Sequence, residues 1–465
     1  MKVGIIGGTG YVGLVTGLGF AAKGHQVVCA DIDSAKIERI KSGELPIYEK
    51  GLEELLISAV KNKRISFTDC IKEAVVCCDV IMIAVGTPEG KNGKADMSYF
   101  FKAVKSVVKC INSINPCDGK SGNYKVIVAK STVPVGTCEL ARMLVHNGLK
   151  STFVEVDVAS NPEFLREGNA VNDFLNPERI VIGSYNERTS EIMKELYAQF
   201  EAPIIFTDPK SAEMIKYACN AYLASRISFI NEIAEICAKT GADINGVIEG
   251  MKYDHRIGKH YLSPGPGFGG PCLSKDLKSL INFASNANAN VDMLKSVLKR
   301  NNIQISNIAR EILHELRFME GRKIAILGLS FKKDTDDTRN SPSLLLIQKL
   351  IDTNAKIFVY DPKVNCLSKD LGSKVYFANT AYEAVDEADC MVVMTEWDEF
   401  KNLDLKFIFS IMKTPFIYDA RNIIDMKYAA DIGFSYMGIG IKSSNNKVMQ
   451  ENARRYEFMV NKEIV

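Results

Sequence analysis

The chain opens with a short apolar run, Lys2 to Ile6, followed at once by Gly8-Thr9-Gly10-Tyr11-Val12-Gly13 and a helix-like stretch. A G-x-G-x-x-G sequence is informative only in that strand-to-helix setting. There the glycines let the backbone turn tightly and approach a pyrophosphate that faces the amides and positive end of the helix. Asp31 closes the next strand-like run, placed as a carboxylate roughly twenty residues on must be to accept hydrogen bonds from a ribose diol and repel the extra phosphate of NADP. Together these residues predict a Rossmann-type opening domain that takes NAD, and they outweigh the plainer reading of a glycine-rich turn kept for packing.

The first half alternates β-rich runs with helix-length amphipathic segments, the pattern of a doubly wound parallel sheet. Lys2 to Ile6, Gln26 to Ala30, Val80 to Val85, Lys125 to Ala129 and Arg179 to Ile182 read as strands. From Ser211 to Thr240 there is no Gly or Pro, and Ile215, Leu223, Ile227, Ile230 and Ile233 recur at mixed three- and four-residue spacings, predicting one long helix that stops at Gly241. Gly and Pro then crowd into Ser263 to Pro271, a loop with unusual backbone demands. After Gly321 the runs Arg322 to Leu327, Lys356 to Tyr360 and Met391 to Met394 predict a second α/β domain. Its Gly328-Leu329-Ser330-Phe331 lacks the three-glycine pattern, so a ligand other than a dinucleotide is expected there. The fold class is therefore α/β: two Rossmann-like doubly wound domains, 1–205 and 316–465, joined by a long central helix within a helical domain, 206–315. Asn115 to Asn123 and the last fifteen or so residues are polar enough to be loop or frayed tail.

A chain of 465 residues exceeds one ordinary core, and 46% hydrophobic with 25% charged residues fits a globular protein. Apolar runs such as Val80 to Val85 are too short to cross a bilayer, and the N-terminus enters a strand without a secretory leader. A cytoplasmic protein with no membrane partner is expected. A net charge of only +2 leaves no basic footprint for nucleic acid, while an anionic small molecule needs only a few local cations. Twelve cysteines without Cys-x-x-Cys or Cys/His zinc spacing are expected to be reduced and mostly buried, and the five histidines suggest no metal.

One cysteine has a different setting. Gly265-Pro266-Gly267-Phe268-Gly269-Gly270-Pro271-Cys272-Leu273-Ser274-Lys275-Asp276 puts Cys272 after a glycine-rich loop, near a helix start, with a lysine three residues on. A helix N-terminus and a nearby cation stabilise thiolate over thiol, which a nucleophilic cysteine requires.

With this loop the chain resembles the UDP-glucose 6-dehydrogenase family over nearly its whole length. The motifs occur in order: Gly8 to Gly13; Gly86-Thr87-Pro88; Lys130-Ser131-Thr132-Val133-Pro134-Val135-Gly136; Asn161-Pro162-Glu163-Phe164-Leu165-Arg166-Glu167-Gly168; and Lys216-Tyr217-Ala218-Cys219-Asn220. Arg256-Ile257-Gly258, the Cys272 loop, Phe331-Lys332 with Asp334 to Pro342, Tyr360-Asp361-Pro362, Thr395-Glu396-Trp397 and Asp419-Ala420-Arg421-Asn422 follow.

The resemblance implies that the primary alcohol of UDP-glucose is oxidised to UDP-glucuronate in two hydride transfers to two NAD, with the aldehyde held on Cys272. A thiol is needed because an aldehyde has no hydride to give at the right oxidation level until a nucleophile adds to it. By the family pattern Lys216 is base or oxyanion stabiliser and lies one helical turn from Asn220, Asp276 and Thr132 position the water, and Glu163 is a general base in thioester hydrolysis. Phe164, Leu165 and Arg166 give main-chain contacts to the substrate; Tyr261, Leu262, Ser263, Pro264, Gly265 and Gly269 line its pocket; Lys332 and Arg421 meet its diphosphate. The pattern assigns the cofactor to Val12, Asp31, Lys36, Thr87, Thr132, Glu167, Lys275 and Arg339 beside the fingerprint glycines and Tyr11. It also makes residues 206–315 a dimerisation domain and 316–465 a UDP-sugar domain. Arg256 matches a residue reaching the neighbouring subunit's sugar, so a homodimer or higher homo-oligomer is implied. Read without the family, Glu163 and Glu167 are equally solvated partners for Arg166.

The chain departs from the pattern at Pro271 and Leu273, where several members have Ser and Phe, and at Asn340, where Glu is common. Pro271 removes an amide donor and fixes φ. A UDP-N-acetylhexosamine dehydrogenase is the nearest rival, but those usually show His before the cysteine and lack a pair such as Lys275-Asp276. A catalytically silent NAD-binding protein would not need Cys272, Lys216, Asn220 and Asp276 together, and a two-electron hydroxyacid dehydrogenase would need neither the thiol nor a second α/β domain.

Overall fold

The computed structural model describes residues 1–114 and 124–442, so the loop expected at Asn115 to Asn123 and the polar tail lie outside the described residues. The chain forms two compact units: Met1–Asn220 with Lys275–Asn290, and Ala221–Ser274 with the chain from Val291 onward.

The first unit is built on eight strands: β1 (Lys2–Ile6), β2 (Gln26–Ala30), β3 (Ile65–Thr68), β4 (Val80–Ile83), β5 (Tyr124–Ala129), β6 (Glu155–Ser160), β7 (Ile180–Gly183) and β8 (Ile204–Thr207). Their spatial order is β3-β2-β1-β4-β5-β6-β7-β8, parallel except where β6 meets β7. Alternate residues feed two cores: Ile5, Val80, Met82, Val126 and Val128 pack on one face, and Ile81, Ile83, Ile127 and Ala129 on the other. Burial of both faces is why these strands read as continuous apolar runs. The strand order reverses at β1, with β2 on one side and β4 on the other, which opens a crevice at the carboxyl end of β1 where the fingerprint lies.

The second unit repeats the plan. Strands β9 (Lys323–Leu327), β10 (Lys356–Tyr360), β11 (Tyr376–Phe377), β12 (Cys390–Val393), β13 (Phe416–Asp419), β14 (Ser435–Gly438) and β15 (Ile441–Lys442) lie in the order β11-β10-β9-β12-β13-β14-β15, with only β15 antiparallel. Ile324 and Ile326 share one core with Ile230, Ala234, Ile305 and Ile308 of the central helices, while Ala325 and Leu327 face the other.

The long helix runs Pro209–Thr240 and joins the two units. It begins two residues before the expected Ser211, because proline is suited to the first helical position and the Asp208 carboxylate accepts from Ser211 N (3.0 Å) and Oγ (2.5 Å). It ends at Gly241, whose φ of +80° is the left-handed cap a glycine supplies. Two further expectations are corrected. β4 stops at Ile83 rather than Val85, and of the eleven described cysteines only five are buried, with Cys70, Cys77, Cys272 and Cys366 exposed.

Candidate active site

The turn after β1 shows what each fingerprint glycine does. Gly7, outside the six-residue motif, takes the left-handed φ of +84°. A Cβ on Gly8 would lie 2.6 Å from Cys29 Cβ, and one on Gly13 only 2.1 Å from Gly7 O, so both are required by strand and helix packing. Gly10 is different: its nearest neighbour would be 3.4 Å away and its φ is −74°. Nothing among the described residues demands a glycine there, which fits a close approach of a ligand to this backbone. Gly10 caps the helix Tyr11–Ala22 without a side-chain acceptor, which leaves first-turn amides for an anion. Asp31, at the end of β2, accepts from Thr9 N (3.1 Å) and Thr9 Oγ1 (2.7 Å) through Oδ2. Beside it Ile32 is 90% exposed, an apolar side chain that sequence reasoning passed over. These features fit a dinucleotide.

The carboxyl ends of β5 and β6 carry the polar groups of the same unit. Lys216 Nζ lies 2.9 Å from Glu163 Oε1, with both side chains buried, and Glu163 Oε2 accepts from Leu165 N at 2.6 Å. The alternative pairing of Glu163 with Arg166 is therefore set aside: Arg166 is held by Asp173, through its backbone N (2.9 Å) and Nη2 (2.6 Å). Phe164 sits under two cations, with Arg179 4.1 Å and Lys216 Nζ 5.4 Å from the ring centroid. Buried Lys130 donates to Asn161 Oδ1 (3.1 Å), which also accepts from Tyr197 OH (2.5 Å). Burial pushes the Lys130 ammonium down to about 8 despite the pull of Glu163, and Lys216 adds to the fall. Burial alone would push the Glu163 carboxyl up, but Lys216, the Leu165 amide and Lys130 outweigh it and hold the carboxyl below its ordinary value.

One turn along the long helix, Asn220 Nδ2 donates to Asp276 Oδ2 at 2.7 Å, and Asp276 Oδ1 receives Lys275 Nζ at 2.6 Å. Thr87 Oγ1 donates to Thr132 O at 3.0 Å, fastening the two motif threonines together. The first unit thus gathers Glu163 with Lys216 and Asn220 with Asp276 into buried, bonded pairs, with Phe164 and Lys275 partly buried beside them, whereas Lys36 stays on the surface against Asp33.

In the second unit Cys272 is exposed and stands immediately before the helix Leu273–Asn286. The glycines ahead of it are fixed by the C-terminal domain: a Cβ on Gly269 would meet Asn340 O at 2.5 Å, and Gly270, at φ +79°, would meet the Phe331 ring at 2.8 Å. Gly270 N donates to Arg339 O (3.0 Å) and Asn340 Nδ2 to Gly270 O (3.3 Å). Asn340 has φ +50°, a left-handed conformation that asparagine tolerates better than glutamate, which gives its departure from the family pattern a physical reason. Gly265 is held by two residues missed in the sequence, Asn231 accepting from its N (2.8 Å) and Gln304 donating to its O (2.8 Å). Gly265 also lies beside Arg421, whose Nε donates to Met394 O (2.8 Å) and pairs with Glu396 (3.0 Å) and whose Nη2 donates to Phe331 O (3.0 Å). Tyr261 has φ +58°, Leu262 and Pro264 are buried and Ser263 is exposed. Arg256 and Arg339 are exposed and pair with Asp254 and Asp337, two residues away in each case.

The acid at the end of β10 ties the loop after β9 to the sheet much as Asp31 ties Thr9: Asp361 Oδ2 accepts from Leu329 N (2.8 Å), Ser330 N (3.0 Å) and Trp397 Nε1 (3.2 Å).

Models of the UDP-glucose/GDP-mannose dehydrogenase family match the chain in three parts: the NAD binding domain over residues 1–201, the central domain over 210–303 and the UDP binding domain over 325–426. The UDP-glucose 6-dehydrogenase TuaD of Bacillus subtilis (strain 168) is 42% identical over 94% of this chain and 93% of its own length. The UDP-glucose 6-dehydrogenase of Rhizobium meliloti (strain 1021) is 41% identical over 95% and 99%. Among solved structures, a UDP-glucose dehydrogenase from Pyrobaculum islandicum superposes with a TM-score of 0.86 at 34% identity, covering 94% of this chain and 97% of that one.

Proposed function

The chain belongs to the UDP-glucose/GDP-mannose dehydrogenase family, and on that premise we propose that it oxidises UDP-glucose to UDP-glucuronate with two NAD per sugar through a covalent intermediate on Cys272. The observation that carries the reading is the pair of buried contacts one turn apart on the long helix, Lys216 with Glu163 and Asn220 with Asp276, in the unit that bears the NAD fingerprint. A protein kept only for NAD binding has no use for a buried lysine–carboxylate pair, whose desolvation is costly.

NAD supplies the acceptor for each of the two hydrides. Gly8, Gly10, Tyr11, Val12, Gly13 and Asp31 would hold it, with Ile32 against the adenine and Lys36, Thr87, Thr132, Glu167, Lys275 and Arg339 as further contacts. Lys216 takes or steadies the alcohol proton as the first hydride leaves. Cys272 Sγ then bonds to the aldehyde carbon as a thiohemiacetal; loss of the second hydride makes a thioester; water adds, the C–S bond breaks, and carboxylate and thiol remain. Asp276 and Thr132 position that water and Glu163 takes its proton. Phe164, Leu165, Arg166, the Tyr261–Gly265 segment, Gly269, Lys332 and Arg421 bind the sugar nucleotide.

We further propose a homodimer or higher homo-oligomer built on the central domain, 206–315, with the cofactor domain ending near 205 and the UDP-sugar domain starting near 316. Tyr222, Phe229 and Ile236 follow each other at seven-residue intervals on the long helix and are 60%, 52% and 49% exposed, an apolar seam suited to a second copy. No helix of the described residues is long and apolar enough to cross a membrane; a cytoplasmic location is proposed because the reaction needs Cys272 kept as a reduced thiol.

The test is the yield of NADH per UDP-glucose with excess NAD and limiting sugar. Two per sugar is expected. One per sugar would mean that the aldehyde is released and Cys272 does not act as described. None, with turnover of a UDP-N-acetylhexosamine, would keep the chemistry and change the substrate.

A further inference from the structure

Glu49 belongs to none of the motifs above, yet it ties two of them together. It lies on the loop before the helix Leu52–Lys61, is 5% exposed, and its carboxylate receives three donors from distant parts of the first unit. The Tyr11 hydroxyl, from the first residue of the fingerprint helix, donates to Oε2. Gly168 N donates to the same oxygen at 2.7 Å, and Ala170 N donates to Oε1 at 2.8 Å. Burial first, then the Glu49 carboxylate, raises the Tyr11 phenol far above its ordinary value, so it remains a donor at any working pH.

The segment so held is the one that carries Glu163 to Glu167. It has three anchors: Glu163 on Lys216, Arg166 on Asp173, and Gly168 with Ala170 on Glu49. Gly168 has φ +80°, so the chain makes a left-handed turn at the point that Glu49 grips. The first two anchors stay within the substrate side. The third reaches the cofactor turn, through Tyr11.

We propose that Glu49 is a positioning residue that couples the cofactor turn to the sugar-binding segment, so that occupation of the fingerprint by NAD(H) and binding of UDP-glucose favour one another through Tyr11, Glu49 and Gly168. A ligand on the first-turn amides steadies Tyr11, the phenol steadies the carboxylate, and the carboxylate fixes the Gly168–Ala170 amides from which the Glu163–Glu167 segment is suspended. The ordering cost met by the first ligand is not met again by the second.

This rests on the function proposed above, and its test separates the two. UDP-glucose affinity is measured by calorimetry on the full-length protein with and without saturating NADH, in wild type, Glu49→Gln and Glu49→Ala. In wild type NADH should tighten UDP-glucose by about fivefold or more. Glu49→Gln keeps the shape of the side chain but removes its charge and turns one accepting oxygen into a donor, so it cannot receive Tyr11, Gly168 and Ala170 together. It should bind both ligands with a smaller ratio, and Glu49→Ala, which removes every acceptor, should bring the ratio close to one. A merely structural role would lower the melting temperature and leave the ratio as in wild type. UDP-glucose binding indifferent to NADH in wild type, or a ratio unchanged in the folded Glu49 variants, overturns the coupling alone. No UDP-glucose binding at all would overturn the functional reading and the coupling with it.

Discussion

Two glycines of one motif differ in what they are for. A methyl on Gly13 would collide with Gly7 O, a backbone atom that cannot move without opening the turn, whereas a methyl on Gly10 meets nothing closer than 3.4 Å. Gly13→Ala should therefore lower the melting temperature by several degrees, while Gly10→Ala should melt like wild type and lose most NADH affinity; equal melting of the two variants would contradict this assignment. Lys130 gives a prediction in pH. Its folded value of about 8 lies below the ordinary 10.5, so between those values the unfolded chain holds more protons and this residue adds stability as pH rises. Denaturant titrations at pH 8 and pH 10.5 should find the advantage of wild type over Lys130→Met growing by up to about 3 kcal/mol, and a constant difference would show that the ammonium is not depressed. Neither Lys130 nor Glu49 was legible as a functional group in the sequence. The residues that reveal them, Asn161 and Gly168 with Ala170, lie 31 residues and more than 100 residues away, and no local periodicity links such positions.

At the scale of elements, what could be read was what local chemistry dictates. β1, β2 and β10 were legible to the residue because parallel strands buried on both faces are unbroken apolar runs bounded by turn residues. β6 and β8 were not, because Glu155–Ser160 carries Asp157, buried but bonded to Arg142 and Asn186, and Ile204–Thr207 is a partly exposed edge strand. The Cys272 loop was legible as one with unusual backbone demands, but their cause was not, since the partners of Gly269 and Gly270 come from the segment Phe331 to Pro342. Asn340→Glu, which restores the residue common in the family, should put a less tolerant side chain at φ +50° and remove the bond to Gly270 O. At a cost of about 1 to 2 kcal/mol in loop order, kcat should fall several-fold to tenfold with KM for NAD unchanged. A fall in NAD affinity instead would mean that the loop and the cofactor turn are not separable.

In the whole molecule, each unit completes its own sheet and core, and the long helix carries the buried Lys216 and Asn220 toward its start and an exposed apolar row from Tyr222 onward. That division explains why the helix lacks the clear one-sided apolar pattern of a surface helix: Lys216 and Asn220 are buried against the carboxylates of Glu163 and Asp276, Ile230 and Ala234 in the core of the second unit, and Tyr222, Phe229 and Ile236 are left facing out. Leaving three such side chains in water forfeits roughly 1.5 to 3 kcal/mol for each that a partner would fully cover. Because the row repeats every seven residues, it suits a second helix packed along it, and two copies of this helix satisfy each other. Phe229→Glu sets a charge at the middle of the row and opposite its own copy. Sedimentation velocity at micromolar concentration should find wild type as dimers or larger and this variant shifted toward monomer, with its circular dichroism and NADH affinity kept, because the fingerprint belongs to the other unit. An unshifted assembly would remove the central helix from the interface and leave its apolar row without the partner argued for it.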